Sequence, residues 1–209
     1  MTILAIIGLG SMGKALAKRF AGKTDLILAG RDGATATAFA ATLPPGVTVL
    51  DQDAAIAKAD VVILAMPFAA ALEAGANRAL KGKILLDIVN PLNSDLSGLS
   101  VGHTSSAAEQ LQATAPEALV VKGYNTIFAS LLDLPAEQTA RVPVYLAGDD
   151  EGAVEAVAAL VTLSGFAVER TGGLDGARLL EPLAMLGIRL AFRFGRGTDI
   201  APVWTTVAS

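Results

Sequence analysis

The 209-residue chain has no cysteine, one histidine and one tryptophan, and 17% of its residues are charged. The missing cysteine removes disulfides, thiol nucleophiles and thiolate-held metals together. With His103 as the single histidine, and no carboxylate–histidine spacing suited to a site, no metal is expected. Lysine does not recur after Lys122, and a Tyr-x-x-x-Lys pair is absent, because Phe128 stands four residues after Tyr124 and Asp149 four after Tyr145. Reducing a carbonyl adds a hydride to carbon and a proton to oxygen, so a chain this poor in proton donors is disfavoured for that chemistry. The net charge is −4 with acids and bases interspersed, and no basic stripe invites nucleic acid as a partner. The first residues lack a basic stretch and a cleavage site, and the most apolar late segment, Leu179 to Phe194, is interrupted by Glu181, Arg189 and Arg193. These features lead us to expect a cytoplasmic protein with no membrane partner.

What the chain has instead is apolar surface: 53% of its residues are hydrophobic, many of them alanine. That suffices for a large core with an apolar face left for a second subunit, so a homo-oligomer, in the simplest case a dimer, is expected. The length fits one doubly wound domain plus a small addition.

Residues 3–13 read Ile-Leu-Ala-Ile-Ile-Gly-Leu-Gly-Ser-Met-Gly. A short Ile-rich run is how a strand covered on both faces looks, and it leads directly into G-x-G-x-x-G and a helical pattern. In that context Gly8 permits a tight turn, Gly10 lets a pyrophosphate approach the backbone, and Gly13 lets the helix pack against the strand. Leu9, Ser11 and Met12 complete the loop, whose amides face the anion at the helix start. The second strand, Asp25 to Ala29, ends in Gly30-Arg31-Asp32, where an NAD enzyme carries an acid for the ribose. Glycine leaves room for a 2′-phosphate and Arg31 can grip it bidentately, which favours NADP; the alternative gives the ribose to Asp32.

Further elements follow in alternation. A helix is expected over 33–43 and a strand over 47–50, followed by a helix capped by Asp51 or Asp53. The fourth strand, Asp60 to Ala65, runs into Met66-Pro67-Phe68. At a strand's carboxyl end these residues should line the dinucleotide, with core packing as the alternative for Met66 and Phe68. A helix through 69–80 and a strand over 84–88 lead to Asn90-Pro91, then to a loop over 93–104 long enough for a lid. Ser106 to Glu109 forms a capping box, and His103 just before it reads as a surface residue. After strand 119–121, Lys122-Gly123-Tyr124-Asn125-Thr126-Ile127-Phe128-Ala129 is the best candidate for the reactive end of a cofactor, although Lys122 reads equally as a strand-end surface charge. The composition shifts near 140. We therefore expect a dinucleotide-binding unit over 1–140 and a small α/β unit over 141–209, with a strand over 142–147, a helix capped by Asp149, a strand over 166–169, a tight turn at Gly172-Gly173 and a last helix over 179–194. The whole is an α/β, Rossmann-type doubly wound, mostly parallel sheet with a small C-terminal extension.

Several of these pieces resemble the small NADPH-dependent reductases of the coenzyme F420 family, the F420H2:NADP oxidoreductases, and the cytosolic domain of the STEAP metalloreductases. The resemblance runs through Ile6 to Gly13, Gly30-Arg31, Ala65-Met66-Pro67, Asn90-Pro91-Leu92 and Ser105 to Glu109. It is most specific at Val120 to Thr126 and at Gly173-Leu174 with Ala177 to Glu181, and it includes Val144-Tyr145-Leu146 with Gly148-Asp149. It implies NADP(H) along Gly8 to Met12, a 2′-phosphate at Arg31 near Thr35, and a nicotinamide near Met66, Pro67, Asn90 and Ala129. A deazaflavin (coenzyme F420) or a flavin (FMN or FAD) would stack between Asn125 to Phe128 and the turn at Gly173-Leu174, with Ile127 on the substrate side. Asn125, Thr126 and Phe128 would position the reactants. Characterised F420 reductases carry His and Pro at the positions of Asn125 and Phe128, and a second basic residue at that of Thr35. The function implied is hydride transfer between NADPH and a ring acceptor, with an NADP-binding sensor or a reductase of a small imine or carbonyl as alternatives.

Overall fold

A computed structural model describes residues 2–95 and 97–207. Leu96, inside the expected 93–104 loop, and positions 1, 208 and 209, at the ends of the two expected units, lie outside the described residues. Eight strands, β1 (Ile3–Ile7), β2 (Asp25–Ala29), β3 (Val47–Val49), β4 (Val61–Leu64), β5 (Ile84–Asp87), β6 (Leu119–Lys122), β7 (Pro143–Gly148) and β8 (Ala167–Arg170), form one sheet in the order 3-2-1-4-5-6-7-8. The first six are parallel; β7 runs antiparallel to β6, and β8 parallel to β7. The strands beyond position 140 thus extend the sheet begun by the first 140 residues.

Both faces are covered, which is why β1 and β4 are apolar at every position. Successive side chains point to opposite sides, so Leu4 and Ile6 join one core layer while Ala5 and Ile7 join the other. The first layer packs under α1 (Ser11–Phe20), α6 (Ala129–Asp133) and α8 (Glu151–Leu163); the second lies under α3 (Gln52–Lys58), α4 (Phe68–Gly75) and α5 (Ala107–Thr114). The remaining helices are α2 (Gly33–Ala40), α7 (Ala136–Thr139) and α9 (Ala177–Ile188), the last continued by a π turn, Arg189–Arg193.

Several elements depart from the expected bounds for local reasons. The helix expected over 69–80 starts at Phe68 and stops at Gly75; Asn77 then caps a separate 3-10 turn, its side chain accepting from the Ala79 amide at 2.9 Å. Helix α2 ends at Ala40, ahead of Pro44 and Pro45. Asp51 rather than Asp53 caps α3, and Asp150 rather than Asp149 caps α8. Asp149 instead accepts from the Leu174 amide at 2.8 Å. The capping box at Ser106 is half formed: Ser106 Oγ accepts from the Glu109 amide and donates to its carboxylate, which is also held by Arg178. This Arg178 pairing, together with the Ser106 contact, lowers the Glu109 pKa below the usual carboxylate range. The last helix begins two residues early, at Ala177.

Candidate functional site

The strand order reverses between β1 and β4, and ligands of open parallel sheets bind beyond the carboxyl ends at such a point. The three glycines there do three different things. Gly8 has φ +99°, and a Cβ on it would sit 2.4 Å from the Ala65 carbonyl oxygen. A Cβ on Gly13 would stand 2.0 Å from the Gly8 carbonyl oxygen and 3.1 Å from Ala65 Cβ, so β1, β4 and α1 meet at van der Waals distance. A Cβ on Gly10 would meet nothing within 4 Å. Gly10 adopts φ −72°, which any residue could hold, so its missing side chain leaves an open cradle before the first amides of α1. Leu9 lies against the position a Gly30 side chain would take, and Met66 against that of Gly8, so loop, β2 end and β4 end are contiguous. Met66 and Phe68 also pack against the core.

At the end of β2, Arg31 is exposed and Asp32 caps α2. One Asp32 oxygen accepts from the Ala34 amide and the other from the Thr35 hydroxyl. These bonds, that from Thr35 first, lower the Asp32 pKa. Thr35 therefore has no free hydroxyl hydrogen, and Arg31 is the open donor at this corner.

The ends of β5 and β6 carry a feature that composition gave no reason to expect. Lys122 is fully buried, not a surface charge. Its Nζ donates to Asp87 at 2.8 Å, to Glu181 at 2.7 Å and to the Val89 carbonyl. Asp87 also accepts from the Val89 amide, and Glu181 from the amides of Ala107 and Ala108, the first of α5. Burial pushes the Glu181 carboxyl pKa up while Lys122 pulls it down, and the upward effect is the larger. One ammonium and two carboxylates thereby clamp β5, β6, α5 and α9, and hold Val89 by both its amide and its carbonyl.

The next residues stand on this clamp. Asn90 donates to the Asn125 carbonyl at 2.8 Å, and Asn125 Nδ2 donates to Asn90 Oδ1 at 3.1 Å and to the Leu180 carbonyl at 2.9 Å. A carbonyl can only accept, which fixes the Asn125 amide orientation and leaves its Oδ1 outside this set of bonds. That oxygen and Thr126 Oγ1 are buried and have no partner among the described residues. Tyr124 sets the direction of this turn. Its φ of 55° is unusual for a bulky residue, and it is held there by its hydroxyl's 2.8 Å bond with Ser164 and an edge-on contact with Phe166. Full burial raises the Tyr124 pKa.

The family model for NADP oxidoreductase, coenzyme F420-dependent, matches residues 3–91, which contain β1 to β5 and the glycine loop. A crystal structure assigned as an F420-dependent NADP-reductase from Arthrobacter sp. FB24 superimposes with a TM-score of 0.82 and 32% identity, over 97% of this chain and all of that one. The chain belongs to the coenzyme F420-dependent NADP oxidoreductase family. The F420-dependent NADP reductase of Methanothermobacter marburgensis is 28% identical over 91% of this chain and 92% of its own length. Human metalloreductase STEAP2 is 31% identical over 106 residues, which span 51% of this chain and 20% of STEAP2.

The residues that the sequence led us to expect on the substrate side fall in two places. Asn125, Thr126 and Ile127 are buried, while Phe128 and Ala129, at the start of α6, are half-buried. The element facing them is α9: Thr126 and Phe128 share a cleft with Leu183, Leu186 and Leu190. Gly173 and Leu174 lie elsewhere. Leu174 is buried in the second core layer, and Gly173 lines a separate cleft with Gly148, Asp149 and Arg170. Asp87 is the supporting residue that sequence reasoning did not single out; Tyr124 and Glu181 fall within stretches it did, with no supporting role given to either. His103 is exposed in a turn, no group of residues suited to a metal occurs among the described residues, and no helix there is long and apolar enough to cross a membrane.

Proposed function

We propose that the protein passes a hydride between NADPH and a deazaflavin or flavin-type ring, with the reactants positioned rather than activated by acid–base groups. The observation that carries this reading is that Lys122, Asp87 and Glu181, the ionisable groups at the ends of β5 and β6 and on the facing helix, are buried and engaged with one another. None of them is open to donate a proton to a carbonyl oxygen. A ring acceptor takes the hydride at one atom and exchanges the proton at another that solvent can reach, so no buried donor is required.

The residues fit the cofactor. The open space at Gly10 accommodates a pyrophosphate on the first amides of α1, and Gly30 and Arg31 accommodate a 2′-phosphate. The unpartnered Asn125 Oδ1 would accept from an amide such as the nicotinamide carboxamide. NADPH, when bound, supplies the hydride; Asn90 and Asn125 orient its reactive end, and Ala65 to Pro67 and Ala129 wall it. Thr126, Ile127 and Phe128 face the acceptor. Mixing purified protein, NADPH and oxidised F420, FMN or FAD should bleach the nicotinamide absorbance with at least one acceptor. Tight NADPH binding with no change for any of the three would overturn the proposal.

Arg31→Ala is expected to weaken NADPH by roughly 10- to 150-fold, as loss of a charge-assisted bond worth about 1.5–3 kcal/mol requires. NADH affinity should stay within about threefold, since Arg31 has no 2′-phosphate to meet there. Titrating both dinucleotides against both proteins measures the ratio; an equal loss would remove the basis for NADP preference.

A further inference from the structure

Residues 194–207 follow the π turn with neither helix nor strand. Two glycines bend this tail, Gly195 at φ +65° and Gly197 at φ +73°, and a Cβ on either would meet nothing within 4 Å. Neither is wedged against a neighbour, so the left-handed backbone alone accounts for glycine there. The tail then turns back over the molecule and is held by two of its own carbonyls. Ser130 Oγ, on α6, donates to that of Thr198 at 2.9 Å, and the Tyr145 hydroxyl, on β7, donates to that of Pro202 at 3.2 Å. Residues 198–207 make no other hydrogen bond among the described residues. Between the two bonds, Ile200, Ala201 and Pro202 line the cleft of Thr126 and Phe128; beyond them, Val203, Trp204 and Val207 are more than half exposed.

With the tail in place this cleft has a volume of about 240 Å³, below the roughly 300–1,000 Å³ of pockets that take a drug-sized molecule. A flavin or deazaflavin, with three fused rings and a long substituent, needs more. Polarity points the same way. Thr126 Oγ1 is buried without a partner in the wall of the cleft, and the side chains of Ile200, Ala201 and Pro202 carry no group that could bond to it. A buried hydroxyl left unpaired disfavours the covered arrangement, whereas a ring with a carbonyl or nitrogen at its edge would satisfy it. We propose that residues 198–202 are a strap, latched by Ser130 and Tyr145, that fills part of the acceptor's place and swings out about Gly195 and Gly197 before a ring acceptor enters. A ligand that binds only the open state shows an affinity reduced by the open fraction, so loosening the latch tightens the acceptor.

The gating rests on the proposed ring-acceptor function; the latch does not. Ser130→Ala and Tyr145→Phe each remove one latch bond, and each should lower the acceptor KM roughly 2- to 13-fold, the extra opening that loss of one ordinary hydrogen bond allows. Melting temperature, kcat and NADPH affinity should not change. A chain shortened to residues 1–197 should lower the KM at least as far. Trypsin reads the strap without turnover. The Arg196 and Gly197 amides bond to the Leu190 and Ala191 carbonyls, so cutting between Arg196 and Gly197 follows the population of the open tail. That cut, followed by mass spectrometry, should quicken in both point variants by the same factor as the KM falls. Oxidised F420, FMN or FAD, added to wild type loaded with NADP+, which has no hydride to give, should quicken it as well. An acceptor KM that holds or rises in these chains would make residues 198–202 a fixed wall and overturn the proposal, as would a cut that the acceptor slows or leaves unchanged. If no acceptor is reduced, the functional reading fails and the latch is still judged by trypsin: a faster cut in both point variants upholds it, and an unchanged one overturns it.

Discussion

Gly10→Ala should melt with the wild type and yet bind NADPH about 5- to 150-fold more weakly, the loss that about 1–3 kcal/mol of steric intrusion produces. Nothing in the protein lies within 4 Å of the new methyl group, and the backbone there is ordinary. The folded state pays a few tenths of a kcal/mol because alanine caps a helix less well than glycine. About the same returns through a less disordered unfolded chain. Only a ligand meets the methyl group. Gly13→Ala is the control with the opposite outcome, because its methyl group would stand 2.0 Å from the Gly8 carbonyl oxygen, and neither partner is a movable side chain. At about 3 kcal/mol or more, that variant should lose roughly 6–12 °C of melting temperature for a chain of this size. Thermal scans with and without NADPH separate the two. If Gly10→Ala bound NADPH as the wild type does, the loop would not hold the pyrophosphate.

Lys122→Met should be the most damaging single change away from the glycines. Removing one member of a buried ion cluster leaves its partners uncompensated, at a cost of about 3–5 kcal/mol, or roughly 6–20 °C. The defect should also depend on pH. The Glu181 carboxyl is already shifted up by burial, with Lys122 as the main opposing influence. Without the ammonium it rises further. A carboxyl whose pKa is higher in the folded than in the unfolded state favours folding at low pH and opposes it increasingly as the pH rises through the folded value. The variant should therefore lie closer to wild type near pH 5 than near pH 8. A deficit that is constant across this range would mean that Lys122 contributes packing and not charge.

The two predictions differ in how much of their basis was legible in the sequence. The strand, the glycine spacing and the helix of residues 3–20 are local, and each glycine's role follows from the backbone it must adopt, so this corner could be read before any fold was known. The succession of strands and helices, and with it a mostly parallel sheet, followed from the alternation of apolar runs with helical patterns. The Lys122 cluster could not be read in that way. Its partners lie 35 and 59 residues away, and a lysine closing a short strand looks the same whether it meets water or two carboxylates. Asp149 and Asp150 show the limit at short range: both could cap α8, and the choice fell to the tertiary bond from the Leu174 amide. The neighbour of Thr126 and Phe128 was illegible for a related reason: Leu180 to Leu190 look like the buried side of any amphipathic helix until the helix is seen to run past Asn125.

The bond from Lys122 to Glu181 also orders events on the ribosome. Strands β1, β2 and β4 and the glycine turn are all present in the chain once residue 65 has emerged. The Asn90–Asn125 shelf is different: until α9 is made, Asn125 lacks the Leu180 carbonyl, the first amides of α5 lack their carboxylate, and the ammonium faces Asp87 alone. A nascent chain can therefore complete the glycine turn well before the Asn90–Asn125 shelf has all of its bonds, and it is α9 that supplies the missing ones.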